Sequence, residues 1–282
     1  MTYKIYIQQN QKQYLASKIA SSSFIKAGFD KKNIFFLSFE SNQLLKSKIG
    51  KKYLRNGKIV KYKNDLQSFT LLRFFSPEFN NFQDKILVID PDVFAIKNPF
   101  IIFNEIENDY DLACTSYNGD LRSEVMLINA KKVRWNFEKI IDDLFSFKLD
   151  YSDLMKLNFE KNVSIKKISK IFNSHDKIYP DTILLHTTNR ITQPWKENLK
   201  IDFEIHKSKF YILKQHIKKF LGKNFDKSVT EKKYYKHPEI QVIETIKQFY
   251  NYAKENGIIS NSEINLAIQS NSFSKFFVDN YN

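Results

Sequence analysis

Residues 86–89 read Ile-Leu-Val-Ile and run straight into Asp90, Pro91 and Asp92. A strand sends alternate side chains to opposite faces, so four consecutive apolar residues need cover on both sides. That condition is met where helices flank a mostly parallel sheet, and the surrounding sequence supplies the parts. Residues 3–7 and 33–39 read as buried strands, and Tyr14, Leu15, Ile19, Phe24 and Ile25 recur at near-helical spacing up to a stop at Gly28. A helical stretch over 69–79 leads into the 85–89 strand. Further strands are expected at 111–116, 124–130 and 181–186. The second of these feeds a helix with apolar Val133, Phe137, Ile140, Ile141 and Leu144. Strands alternating with helices predict an α/β, Rossmann-like sheet.

Beyond about residue 200 the pattern turns helical, which divides the chain into a 1–200 domain and a 201–282 helical extension. Pro238 opens a helix that Gly257 stops, and Ser260 with Glu263 has the spacing of a capping box. Residues 209–223 place Phe210, Leu213, Ile217, Phe220 and Leu221 on one helical stripe, with lysines over most of the remaining surface. Two readings of that stripe follow. It packs on the catalytic domain and leaves its lysines solvated, or it meets an anionic membrane surface or a polyanionic glycan.

Composition narrows the class. At 282 residues, 42% hydrophobic and 15% aromatic, the chain can build a substantial core. One cysteine, Cys114, excludes an internal disulfide and a four-cysteine zinc site, and suits a reducing compartment. The N-terminus turns polar after seven residues, and no stretch reaches the roughly 18 apolar residues of a membrane span. The expectation is a cytoplasmic protein, with a peripheral contact at the inner membrane face as the variant. The formal charge of +14 invites a nucleic-acid reading. Its excess is carried by lysine in a chain also crowded with Asn, Ile, Phe and Tyr, a mixture that codon bias alone would write, so nucleic acid is not the expected partner.

In open α/β sheets, ligands bind at the carboxyl ends of the strands. Asp90 and Asp92 stand at such an end, with Pro91 stiffening the turn between them. Two hard carboxylates on a short turn suit a divalent cation that bridges diphosphate oxygens. A plain turn motif is the other reading, since Asp and Pro are common turn residues.

Four segments, in order, resemble GT-A glycosyltransferases, and family 8 with its bacterial relatives in particular. These are the opening 3–24, the stretch FTLLRFFSPEF with Arg73 and Pro77, the strand SEVMLINA, and LLHTTNRITQPW at 184–195, beside the D-P-D turn, which itself resembles the D-x-D strand end of GT-A enzymes. The resemblance spans about residues 1–200. It implies a hexosyltransferase that uses a nucleotide sugar, commonly a UDP-sugar, with Mn²⁺ or Mg²⁺ and retention of configuration. Nucleotide contacts are implied at Ile7 and Gln8, and metal ligation by Asp90, Asp92 and His186. His175, His206, His216 and His237 lack such context and are read as structural or surface residues.

The chain also departs from the family pattern. Gln193 stands where relatives usually carry a lysine before the Pro–Trp pair, which makes Arg190 and Arg73 the candidate cations for the diphosphate. Glu124 occupies a place often held by a small glycine. Asp153 is the nearest match to the family's site carboxylate, and Phe172–Asn173 with Asp176 resembles an acceptor-facing loop. The partners implied are a nucleotide-sugar donor and a glycan or lipid-linked acceptor. The rival readings are a non-catalytic nucleotide-sugar or polyanion-binding protein, and a nucleotidyltransferase on a similar sheet.

Overall fold

The computed structural model describes residues 3–106, 110–203, 209–223 and 226–281. The chain forms two compact units, Met1–His186 and Thr187–Asn282. Residues 187–200, read from sequence with the first domain, thus fall in the second unit.

The first unit runs β1 (Lys4–Gln9), α1 (Tyr14–Lys26), β2 (Ile34–Ser38), α2 (Gln43–Ser47), β3 (Lys52–Arg55), β4 (Lys58–Lys61), α3 (Ser76–Phe79) and β5 (Lys85–Ile89). It continues through β6 (Val93–Ala95), β7 (Leu112–Tyr117), β8 (Asp120–Asn129), α4 (Phe137–Phe145), α5 (Tyr151–Met155), β9 (Ile165–Lys167), β10 (Ser174–His175) and β11 (Leu184–His186). The main sheet has the order β2-β1-β5-β8-β7-β9. β1 is parallel to β2 and β5, and β7 to β9, while β8 runs antiparallel to β5 and β7. The mostly parallel α/β sheet expected from the sequence is present.

The apolar run of β5 is covered on both faces. Ile86 and Val88 join one core with Tyr6, Met126 and the α4 residues Ile141 and Leu144. Leu87 and Ile89 join the other with Ile5, Ile7 and Phe24 of α1. The alternation follows from the period of two along a strand.

Two local expectations are corrected, and one hairpin appears that was not anticipated. The helix expected over 69–79 divides into a 3₁₀ turn, Thr70–Phe74, and the single turn α3. Pro77 has no N–H to donate to the preceding carbonyls, so a continuous helical ladder is cut there. The segment 181–186 does not extend the main sheet. Only Leu184–His186 is strand, and it belongs to a separate sheet of order β10-β11-β6. Finally, β7 and β8 form a hairpin whose turn, Asn118–Gly119, has positive φ at both residues, as does Asn56–Gly57 between β3 and β4. Asn-Gly between two strands favours this mirror-image turn, because its twist matches that of the strands.

The second unit holds α6 (Lys209–Phe220), α7 (Lys227–Thr230), α8 (Ile240–Glu255), α9 (Asn261–Gln269) and α10 (Lys275–Asp279). The expected capping box at Ser260 and Glu263 is formed. Tyr250 of α8 stacks on Phe273 and meets Phe277 edge-on. The buried ammonium of Lys247 donates to the carbonyls of Phe277 and Val278, orphan acceptors at the end of α10. The stripe of α6 is not buried: Phe210 is 77% exposed and Phe220 90%. Among the described residues no helix is long and apolar enough to cross a membrane.

Candidate metal centre and flanking cavities

Asp90 follows the last residue of β5, and its N–H donates to Glu124 O at 3.1 Å, one step beyond the ladder that pairs Ile89 with Val125. Three residues after Asp90 the chain enters β6, which pairs antiparallel with β11 so that Val93 lies opposite His186. The strand that leaves the D-P-D turn thereby carries His186 to Asp92. Ligand atoms of Asp90, Asp92 and His186 all lie within 4.8 Å of one another, and all three residues are buried.

Each member is held by further groups. Arg73, only 2% exposed, donates through Nη2 to Asp90 Oδ1 at 2.8 Å, through Nη1 to Ser123 Oγ at 2.7 Å and through Nε to Thr70 O at 2.9 Å. Gln8 Nε2 also donates to Asp90 Oδ1. Burial raises the Asp90 pKa to about 6, against the pull of Arg73 and His186.

His186 Nε2 lies 3.3 Å from Asp92 Oδ1, and its Nδ1 lies 2.9 Å from Asn173 Oδ1. Asn173 Nδ2 in turn donates to Thr115 Oγ1 at 3.1 Å, which fixes the amide with its carbonyl toward the ring. Nδ1 therefore carries a hydrogen, and Nε2 faces the carboxylates. Burial alone would lower the His186 pKa. The charges of Asp92, then Asp90 and Glu124, outweigh it and raise the pKa to about 9. A proton or a cation between these groups answers the same negative potential.

Two cavities adjoin the site, one through Asp90 and one through Asn173, which bonds His186. One, of about 300 Å³, is lined by Asp90, Arg73, Arg55, Glu124 and Tyr151 among others. The second, of about 580 Å³, is lined by Asn173, His175, Tyr117 and Tyr179 among others. Arg122 lines both. A break in the β7–β8 register brings Arg122 and Glu124 here. Pairing jumps from Cys114–Met126 to Thr115–Arg122, leaving Ser123, Glu124 and Val125 unopposed on the β7 side. Glu124 Oε2 and Arg122 Nε are buried with no hydrogen-bond partner among the described residues, and neither is Gln8 Oε1 bonded. Buried polar atoms usually find a partner, so these three mark where a polar ligand would be received.

Asp90, Asp92, His186, Arg73 and Gln8 are thus brought together. Ile7 is fully buried in the core between Phe36 and Ile89, so it offers the site backbone alone. Asp153 sits in the first turn of α5, where its Oδ1 is 3.5 Å from Asn158 Nδ2, and it is not among the residues lining the smaller cavity. Arg190 and Gln193 belong to the second unit, where the Arg190 guanidinium lies 5.8 Å from the Phe203 ring centre. Their diphosphate role is a sequence-based expectation.

His175, read from sequence as structural or surface, lines the larger cavity with its ring 5.7 Å from that of His186. Burial and the charge of His186 lower its pKa. His206 lies outside the described residues. Arg122 carried no motif, and its only sequence signal was nearness to Glu124 in an otherwise apolar strand.

No family model and no curated protein matches the chain. Among solved structures, the chain is similar to the galactosyltransferase LgtC in complex with donor and acceptor sugar analogues, at 15% identity and a TM-score of 0.46 over 69% of this chain and 89% of that one. It is similar to the glycosyltransferase GlyE of Streptococcus pneumoniae TIGR4, at 18% identity and a TM-score of 0.48, covering 72% of this chain and 58% of that one. A third is the bifunctional glycosyltransferase WbbM in its apo form, with 11% identity, a TM-score of 0.48, and coverage of 70% and 47%.

Proposed function

We propose that this chain is a cation-dependent GT-A-type glycosyltransferase. It would move a sugar from a nucleotide donor, UDP-linked, to a glycan or lipid-linked acceptor with retention of configuration. One observation carries the reading: Asp90, Asp92 and His186 converge at the carboxyl end of the central strand, where Asp90 lines one cavity and Asn173, the partner of His186, lines another. The four-segment resemblance in the sequence supports it independently.

The donor set fits a divalent cation. Two carboxylate oxygens and one imidazole nitrogen favour Mn²⁺ over Mg²⁺, which prefers oxygen and water. Bound there, the ion would neutralise charge that develops on the departing diphosphate. The chain's own residues prepare the site. Arg73 and Gln8 immobilise Asp90, and the Thr115–Asn173 relay orients His186. His186 must lose its Nε2 proton to become a ligand, so binding the ion releases a proton. Arg122 adds positive charge at the seam of the two cavities, where donor and acceptor would meet. The single cysteine, buried and free, suits the cytoplasm as the compartment.

A panel of nucleotide sugars screened by thermal shift with Mn²⁺ tests this. A donor at 100 times its dissociation constant adds about 2.7 kcal/mol of stability. Hydrolysis of the stabilising donor confirms an enzyme. Stabilisation without turnover favours the non-catalytic binding protein, and no stabilisation by any nucleotide sugar rejects the proposal.

A further inference from the structure

Helix α6 is amphipathic the wrong way round for a helix in water. Its polar side packs: the Tyr211 hydroxyl donates to Asp226 at 3.0 Å, buried Gln215 accepts from the Asp226 N–H at 3.1 Å, and Lys219 pairs with Glu231 at 3.1 Å. These residues recur every four positions, which is one helical face. The opposite face carries Phe210, Leu213, Ile217, Phe220 and Leu221, each at least half exposed. A surface helix of a soluble domain turns its apolar stripe inward. A contiguous outward apolar patch marks an interaction surface.

The charge around the patch says what kind. Lys214, Lys218 and Lys223 lie along the same outward face as the stripe. Between residues 209 and 223 the sequence has five lysines and no acidic residue. The face is a helical ridge about 18 Å long, flanked by Lys214, Lys218 and Lys223 and carrying no acidic side chain that would meet a basic partner. Long lysine stems beside an aromatic and aliphatic ridge let the chain tails be met by the ridge and the phosphates by the ammonium groups.

We propose that α6 is an interfacial helix that lays Phe210, Leu213, Ile217, Phe220 and Leu221 into the headgroup region of an anionic lipid surface, with Lys214, Lys218 and Lys223 on the lipid phosphates. The contact does not depend on the sugar-transfer reading. It would, however, hold the protein where lipid-linked molecules are found.

Co-sedimentation of the full chain with vesicles decides the matter. Vesicles of phosphatidylcholine alone are compared with vesicles that also contain phosphatidylglycerol, at low and high salt. The protein should pellet with the anionic vesicles at low salt and lose much of that binding at high salt. The double variant Phe210→Ser with Phe220→Ser should stay in solution, with an unchanged circular dichroism spectrum because both side chains are exposed. Replacing Lys214, Lys218 and Lys223 by Gln should weaken binding about a hundredfold, roughly fivefold per lysine. No pelleting with anionic vesicles at low salt overturns the proposal, and so does binding that ignores lipid charge. Wild-type binding by the double serine variant also overturns it, because diffuse attraction from a chain of charge +14 would then suffice.

Discussion

Arg73→Met tests how the candidate metal centre is held. The substitution roughly keeps the length of the side chain and removes the guanidinium. Asp90 then loses its 2.8 Å charged partner while remaining buried, and Ser123 Oγ and Thr70 O lose their donor. Breaking a buried ion pair by removing one partner costs about 3–5 kcal/mol, because the remaining charge is left uncompensated. In a chain of this size that is a fall in melting temperature of roughly 10 °C.

A thermodynamic cycle with Asp90→Asn separates this cause from lost packing. Once Asp90 is neutral, the loss of Arg73 strands no charge, so the double variant should recover about 2 kcal/mol relative to the sum of the singles. Urea unfolding of the four proteins in EDTA gives the numbers. A single-variant loss below about 1 kcal/mol, or strict additivity, would refute the claim that Arg73 exists to hold Asp90.

Other expectations follow from the same geometry. Asp92→Asn keeps shape but removes a charge, so donor turnover should fall at least about a hundredfold, read from initial rates with Mn²⁺. Asn173→Leu removes the carbonyl that orients His186, and should weaken Mn²⁺ binding about 10- to 100-fold by calorimetric titration with the fold intact. The pH dependence has a defined sign. His186 holds its proton up to about pH 9 in the folded protein, against an ordinary value near 6.5. Its contribution to stability is therefore complete below about pH 6.5 and is lost as pH rises to 9, on the order of 3 kcal/mol. Urea unfolding in EDTA should show this decline in the wild type and not in His186→Asn; a flat wild-type profile contradicts it.

Much of this was legible in the sequence for physical reasons. The Ile-Leu-Val-Ile run can be satisfied only between two cores, and the two cores on β5 are the result. Asp90 and Asp92 are separated by Pro91 alone, so their proximity was assured once the strand ended there. His186 was reached through resemblance alone, since nothing local shows that 184–186 pairs with 93–95. What stayed hidden depends on long-range register. Glu124 and Arg122 reach the cavities through a break in pairing that no residue in β8 announces. His175 arrives with the same small sheet that carries His186. The Asn-Gly hairpins at 56–57 and 118–119 had a local signal, and reading it would have joined β7 and β8 at the outset. The stripe of α6 was correctly seen as a stripe, but periodicity gives the width of an apolar face and not the direction in which it points.

The central claim is that Asp90, Asp92 and His186 form one cation site on which sugar transfer depends. The most direct measurement is hydrolysis of a stabilising nucleotide sugar with Mn²⁺ and with EDTA, in the wild type and in Asp90→Asn, Asp92→Asn and His186→Ala, alongside Mn²⁺ binding by each protein. The account predicts turnover only with the cation, a loss of at least about a hundredfold in every variant, and weakened Mn²⁺ binding in the same variants. Turnover that persists in EDTA, or Mn²⁺ binding unchanged by the loss of any one of the three residues, would contradict it.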